Sequence, residues 1–169
     1  TLNDLYDVVA LQLQHTFGAR YGFLAVSAEK DMIQLPIFME NGQRVAPIGS
    51  IPVGQGLTNY VLKSREVLLI NENVLEVAQK LDAQIGGTIP KSLLAVPLLL
   101  GDEIIGVISI QDPEKERAYN ETHVRQLTTL AAYISVKIRN AELLEEAQRR
   151  AAELGFLFNI TRAAVATTE

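Results

Sequence analysis

The chain of 169 residues has no cysteine and no tryptophan, and only two histidines and two methionines. Without cysteine it can form no disulfide, no thiolate metal site and no thioether link to a pigment. The same absence fits a cytoplasmic protein. His15 and His123, with no carboxylate at ligand spacing, leave no set of residues for a metal. Stripes of lysine and arginine are missing too. With 15 basic against 20 acidic residues and a net charge of -5, the balance argues against a nucleic-acid partner. The densest basic spots, Arg149-Arg150 and Lys137 to Arg139, share their segment with Glu142, Glu145 and Glu146 and read as a solvated helix face. Apolar runs such as Leu93 to Leu100 fall far short of the roughly 20 residues that cross a bilayer, so no membrane insertion is expected. No charged-then-apolar leader opens the chain.

What is present is enough for a sizeable core. At 48% hydrophobic and 21% charged, the composition suits one domain of ordinary size with an appendage. Leu2, Leu5, Val9, Leu13 and Phe17 recur at helical spacing, which predicts a helix over residues 2 to 17 ended by Gly18. Strands are expected over 21 to 27 and 32 to 39. Asn41-Gly42 then signals a hairpin into a third strand through Val45 to Val53, interrupted by prolines. Gly54-Gln-Gly56 opens a helical stretch, followed by a short strand over 67 to 70 and a helix from about Val74 to Ile85. Ser92 to Leu100 is almost wholly apolar, as a strand buried on both faces must be, and Gly101-Asp102 turns it into Glu103 to Gln111. Pro97 within that strand should mark an edge or a bulge. The order predicts an α+β fold, a central antiparallel sheet flanked by helices.

The last segment differs in kind. From Asn120, an expected N-cap, to about Val165 there is no proline and one glycine, Gly155. Apolar positions step by three or four through Leu127, Leu130, Ile134, Ile138, Ala141, Leu144, Ala147, Ala151, Leu154 and Phe158. The first half can cover the sheet. The second half outruns any core and needs a partner, for which a second copy in a parallel coiled coil is the preferred choice. The alternative is a helix that breaks near Gly155 and packs on its own domain. The chain opens on Thr1 and closes inside a helical pattern, so both ends are expected to be cut points within a longer protein.

Three groups of residues, taken in order, resemble the GAF family of small-molecule sensing domains. They are Pro52-Val-Gly-Gln-Gly56-Leu-Thr with Arg65 to Asn71, then Lys91 to Leu98 with Gly101 to Asp112, then Gln126 to Ile134 running on to Leu143. The resemblance covers residues 1–143 and leaves 144–169 as a linker or coiled-coil helix. It implies a GAF/PAS-like cup with a long C-terminal signalling helix. The ligand pocket would be walled by Ile51, Val53, residues 57 to 62, 71 to 85 and 92 to 96. Tyr60, Asn71, Asn73, Ser92 and Ser109 are the polar groups that could point inward; each could equally satisfy local backbone.

Subtypes of the family are tested residue by residue. Asn71-Glu-Asn followed by Lys80-Leu-Asp82 does not reproduce the pattern of cyclic-nucleotide-binding members. Bilin-binding and methionine-sulfoxide-reducing members need cysteines. Haem-binding members need an axial histidine inside the pocket, and both histidines are expected at the surface. Gly101-Asp-Glu103 is ordinary turn chemistry, and Gly54-Gln-Gly56 lacks the following Lys-Ser/Thr of a phosphate loop. The expectation is a non-enzymatic regulatory domain in a signal-transduction protein. It would form a homodimer, hold a small-molecule ligand and relay its state to a downstream output domain. The rival expectation is a ligand-free dimerisation scaffold. The sequence leaves open the cofactor or ligand and the output type, whether histidine kinase, cyclase, phosphatase or transcription regulator.

Overall fold

The computed structural model describes residues 1–168. Helix α1 (Leu2–Phe17) starts at a capping box in which Thr1 and Asp4 satisfy each other's backbone N–H, and stops at Gly18 in the left-handed conformation. The strands are β1 (Tyr21–Ser27), β2 (Met32–Glu40), β3 (Gln43–Arg44), β4 (Ile48–Pro52), β5 (Leu68–Ile70), β6 (Ser92–Leu100) and β7 (Glu103–Asp112). They form one seven-stranded sheet in the order β3-β2-β1-β7-β6-β5, with β4 beside β2. Every pairing is antiparallel. The remaining helices are α2 (Leu57–Ser64), α3 (Val74–Lys80) and α4 (Glu121–Ala166). The architecture is the α+β arrangement expected: an antiparallel sheet flanked by helices and continued by a long C-terminal helix.

Side-chain alternation divides the sheet into two working faces. On one, α1 and α4 lay Val9, Leu13, Leu127, Ile134 and Ile138 against Leu24, Ile37, Leu94, Val96, Ile108 and Ile110. Each fully buried aliphatic side chain there contributes about 1.5–3 kcal/mol. On the other, Val61 of α2 packs on Leu93, Ala95 and Val107, while Ala25, Ile33 and Leu35 gather Phe23, Ile48, Ile51 and Val53. Strands β6 and β7 are therefore buried on both sides, which is why Ser92 to Leu98 reads as an unbroken apolar run.

Three local expectations are sharpened. Of the strand expected over Val45 to Val53 only β4 (Ile48–Pro52) forms, starting just after Pro47, which has no N–H to donate, and the short β3 (Gln43–Arg44) precedes it. The helix expected to reach Ile85 stops at Lys80, where Asp82 takes a positive φ of 55° and the Ala83 N–H returns to the Ala78 carbonyl. Pro97 is accommodated because β5 reaches along β6 only as far as Ala95, and the register with β7 slips just beyond Pro97, between Leu98 and Leu99. The Asn41-Gly42 hairpin is present, with positive φ at both residues.

Helix α4 is continuous over 46 residues, about 69 Å, and passes Gly155 without a break. Its buried residues are Leu127, Ala131, Ile134, Ser135 and Ile138. Beyond Glu146 every described residue is exposed, including Leu154, Leu157, Phe158 and Val165. His123 is a half-buried cap rather than the surface residue expected. Its Nδ1 accepts from the Asn120 N–H at 3.0 Å and its ring meets Tyr119 edge-on at 5.8 Å. No helix among the described residues is long and apolar enough to cross a membrane.

Candidate functional site

A row of residues crosses three adjacent strands on the face away from α4. Phe23 of β1 lies opposite Ser109 of β7, and Ser109 lies opposite Ala95 of β6. Serine and alanine are the small members of this row, so the sheet is hollow where they meet. A roof spans the hollow. One side is the start of α2, Leu57 and Thr58; the other is the irregular segment from Gln84 to Pro90. That segment is pinned by the Gln84 N–H, which donates to the Gln55 carbonyl at 2.8 Å. Gly56 eases this approach, since a Cβ there would sit a tight 3.3 Å from the Gln84 carbonyl oxygen. The pocket measures about 150 Å³ and stands partly open to solvent.

The wall carries no ionisable side chain. It offers the apolar surfaces of Phe23, Leu57, Ile85, Pro90, Leu93 and Ala95, and the neutral polar groups of Thr58, Gln84, Thr88, Ser109 and Gln111. Among these Ser109 stands apart. It is 1% exposed, and its Oγ is the buried side-chain polar atom without a hydrogen-bond partner among the described residues. Leaving a hydroxyl unpaired at that depth costs about 1–3 kcal/mol.

The other residues named from sequence lie outside the cavity. Ser92 is fully buried, but its hydroxyl donates to the Lys115 carbonyl and accepts the Ala118 N–H at 3.3 Å. Asn71 Nδ2 donates to the Tyr119 carbonyl at 2.8 Å and its Oδ1 accepts the Tyr119 N–H, tying the end of β5 to the segment before α4. Burial, with the Asp112 carboxylate nearby, pushes the Tyr119 phenol well above its ordinary range. Asn73 is exposed, in left-handed conformation, at the start of α3. Ile51 and Val53 pack in the cluster under β2 and β4, and Tyr60 packs beside Val61 on the far side of α2. Phe23, Thr88, Pro90 and Gln111 were not singled out from sequence. The available signal was the pair of small residues, Ala95 and Ser109, set among large apolar ones.

The contrast between the two serines is measurable. Ser92→Ala should destabilise the domain by about 1 kcal/mol, because it removes both hydrogen bonds of a fully buried side chain, to the Lys115 carbonyl and the Ala118 N–H. Ser109→Ala should raise the stability of the ligand-free domain by about 1 kcal/mol, because it removes an unsatisfied hydroxyl. Urea midpoints of the two variants, moving in opposite directions, check both assignments.

A family model for the GAF domain matches residues 1–139. The chain belongs to the GAF domain family. That family supplies sensory and regulatory domains to signalling proteins. Over 96 residues this GAF domain is 29% identical to the formate hydrogenlyase transcriptional activator FhlA of Escherichia coli (strain K12), a match covering 55% of the chain and 14% of FhlA. The chain thus spans a small part of that relative's length. The GAF domain of an Acinetobacter phosphoenolpyruvate-protein phosphotransferase superposes with a TM-score of 0.68 at 20% identity, over 85% of each chain. A free methionine-R-sulfoxide reductase from Neisseria meningitidis, in complex with its substrate, superposes with a TM-score of 0.67 at 19% identity, over 85% of this chain and 81% of that one. At such identities the likeness is one of fold.

Proposed function

We propose that this GAF domain is the non-catalytic sensory input module of a cytoplasmic signalling protein, binding a small molecule in the cavity above Ala95 and Ser109. The observation that carries the reading is the unpartnered Ser109 hydroxyl on the cavity floor. A buried polar group without a partner is costly, and a ligand that completes its hydrogen bond recovers that cost on binding.

The route outward is short. Strands β6 and β7 present Ala95 and Ser109 to the cavity and Leu94, Val96, Ile108 and Ile110 to the helix face. A ligand that shifts these strands acts on α4 through the thickness of one sheet. The sensory unit then comprises residues 1–143, and residues 144–169 form the outgoing linker. In that linker Leu144, Ala147, Ala151, Leu154, Phe158 and Val165 fall on one heptad seam. Pairing of this seam with a second copy would carry a shift in packing to an output domain.

The test is the melting temperature of the domain against a small-molecule library. A ligand at about a hundred times its Kd stabilises by about 2.7 kcal/mol, which for a domain this size is a rise of about 5–10 °C. Ala95→Leu, which places three more carbons in the hollow, should abolish that rise. A rise of equal size in the variant would place binding elsewhere and count against the cavity.

A further inference from the structure

We infer that the ligand of this cavity is an uncharged molecule of about six to nine non-hydrogen atoms, carrying a carbonyl oxygen directed at the first turn of α2. The inference rests on the reading of the cavity as a binding site. Three observations converge on it. The first is the wall, where no lysine, arginine, histidine, aspartate or glutamate is present to offset a ligand charge. Burying a charge without a counter-charge costs more than the end of one short helix returns.

The second is the start of α2. This eight-residue helix has glycine at its N-cap, no side-chain cap and no acidic residue in its first turn. Its leading N–H groups are among those a helix leaves without intrahelical acceptors, and the residues that bear them, Leu57 and Thr58, stand in the cavity wall. A ligand carbonyl at this wall would supply an acceptor to N–H groups that have none within the helix. The third is Ser109, whose buried hydroxyl is free to donate or accept across the same space. A neutral carbonyl-bearing ligand supplies the acceptor for α2 and a partner for Ser109 without introducing an unpaired charge. The size follows from the volume of about 150 Å³, comparable to an engineered apolar cavity that takes up benzene. Phe23 offers a ring to a flat ligand at one edge.

Charge can be varied on one skeleton with benzamide, benzoate and protonated benzylamine, each titrated into 15N-labelled domain at neutral pH. Benzamide should shift the amide resonances of Leu57, Thr58, Ala95 and Ser109, with a Kd at least tenfold lower than either charged analogue. Ser109→Ala should weaken benzamide about five- to tenfold. Benzoate binding as tightly as benzamide at the same residues would overturn the neutral-ligand assignment while leaving the cavity a binding site. An unchanged benzamide Kd in Ser109→Ala would overturn the role given to the hydroxyl. Shifts at none of these residues with any of the three probes would overturn the cavity reading, and this inference with it.

Discussion

Gly106→Ala should lower the stability of this domain by about 3 kcal/mol or more, seen as a melting temperature lower by about 10 °C. Gly106 lies on β7 opposite Val26, and a Cβ added there would come within 2.2 Å of the Ala25 carbonyl oxygen. That atom belongs to the backbone of β1, so no side-chain rotation relieves the clash. Strands β1 and β7 would have to separate at the centre of the sheet. Both lie beneath the core cluster that α1 and α4 cover, so the strain would spread into the packing of Leu24 and Ile108. Gly49→Ala is the control. Gly49 has nothing within 4 Å of its added Cβ, so its melting temperature should stay within about 2 °C of the parent, as for surface substitutions. Equal effects of the two substitutions in thermal unfolding would show that the approach of β1 to β7 does not matter.

Ile134→Ala should cost about 2–5 kcal/mol. Ile134 is 0% exposed and sits in the half of α4 that closes the sheet. The triple substitution Leu154→Gln, Leu157→Gln and Phe158→Gln should leave the stability of the monomeric domain unchanged within about 0.5 kcal/mol, measured at concentrations where the parent too is a monomer, since it touches only positions exposed in the single chain. One half of this unbroken helix is thus expected to set the stability of the domain and the other to leave it unchanged. Under the pairing proposed for the outgoing segment, the triple variant should sediment as a monomer at concentrations where the parent is a dimer. A parent that stays monomeric at high concentration would contradict the pairing and leave the fold assignment untouched.

The elements were legible wherever periodicity and capping agree. Leu2 to Phe17 with Gly18, the Asn41-Gly42 turn and the apolar run from Ser92 carry their conformation in local sequence, and the structure follows them closely. Asn120 was readable as a cap for the same reason. What was not legible depends on register. That Ser109 stands beside Ala95 on the cavity floor turns on which β7 residue pairs with Ala95, a long-range fact no local pattern encodes, while Ser92, three residues from Ala95 on β6, alternates to the other face. Asn71 looked available for a ligand, yet its amide is spent on Tyr119, a residue far along the chain. The end of α3 was misplaced because Asp82 takes a left-handed conformation that apolar spacing does not reveal. That early stop frees residues 84 to 90 to roof the cavity, so the least readable segment is the one that completes the site.

The measurement that tests the account most directly is native mass spectrometry of the purified protein, followed by denaturation of the same sample. The account predicts an adduct of defined small mass on the folded chain, released on denaturation and lost from Ala95→Leu. A clean protein mass for the folded chain, with no adduct when the small-molecule library is added, would contradict it and leave a scaffold without a ligand.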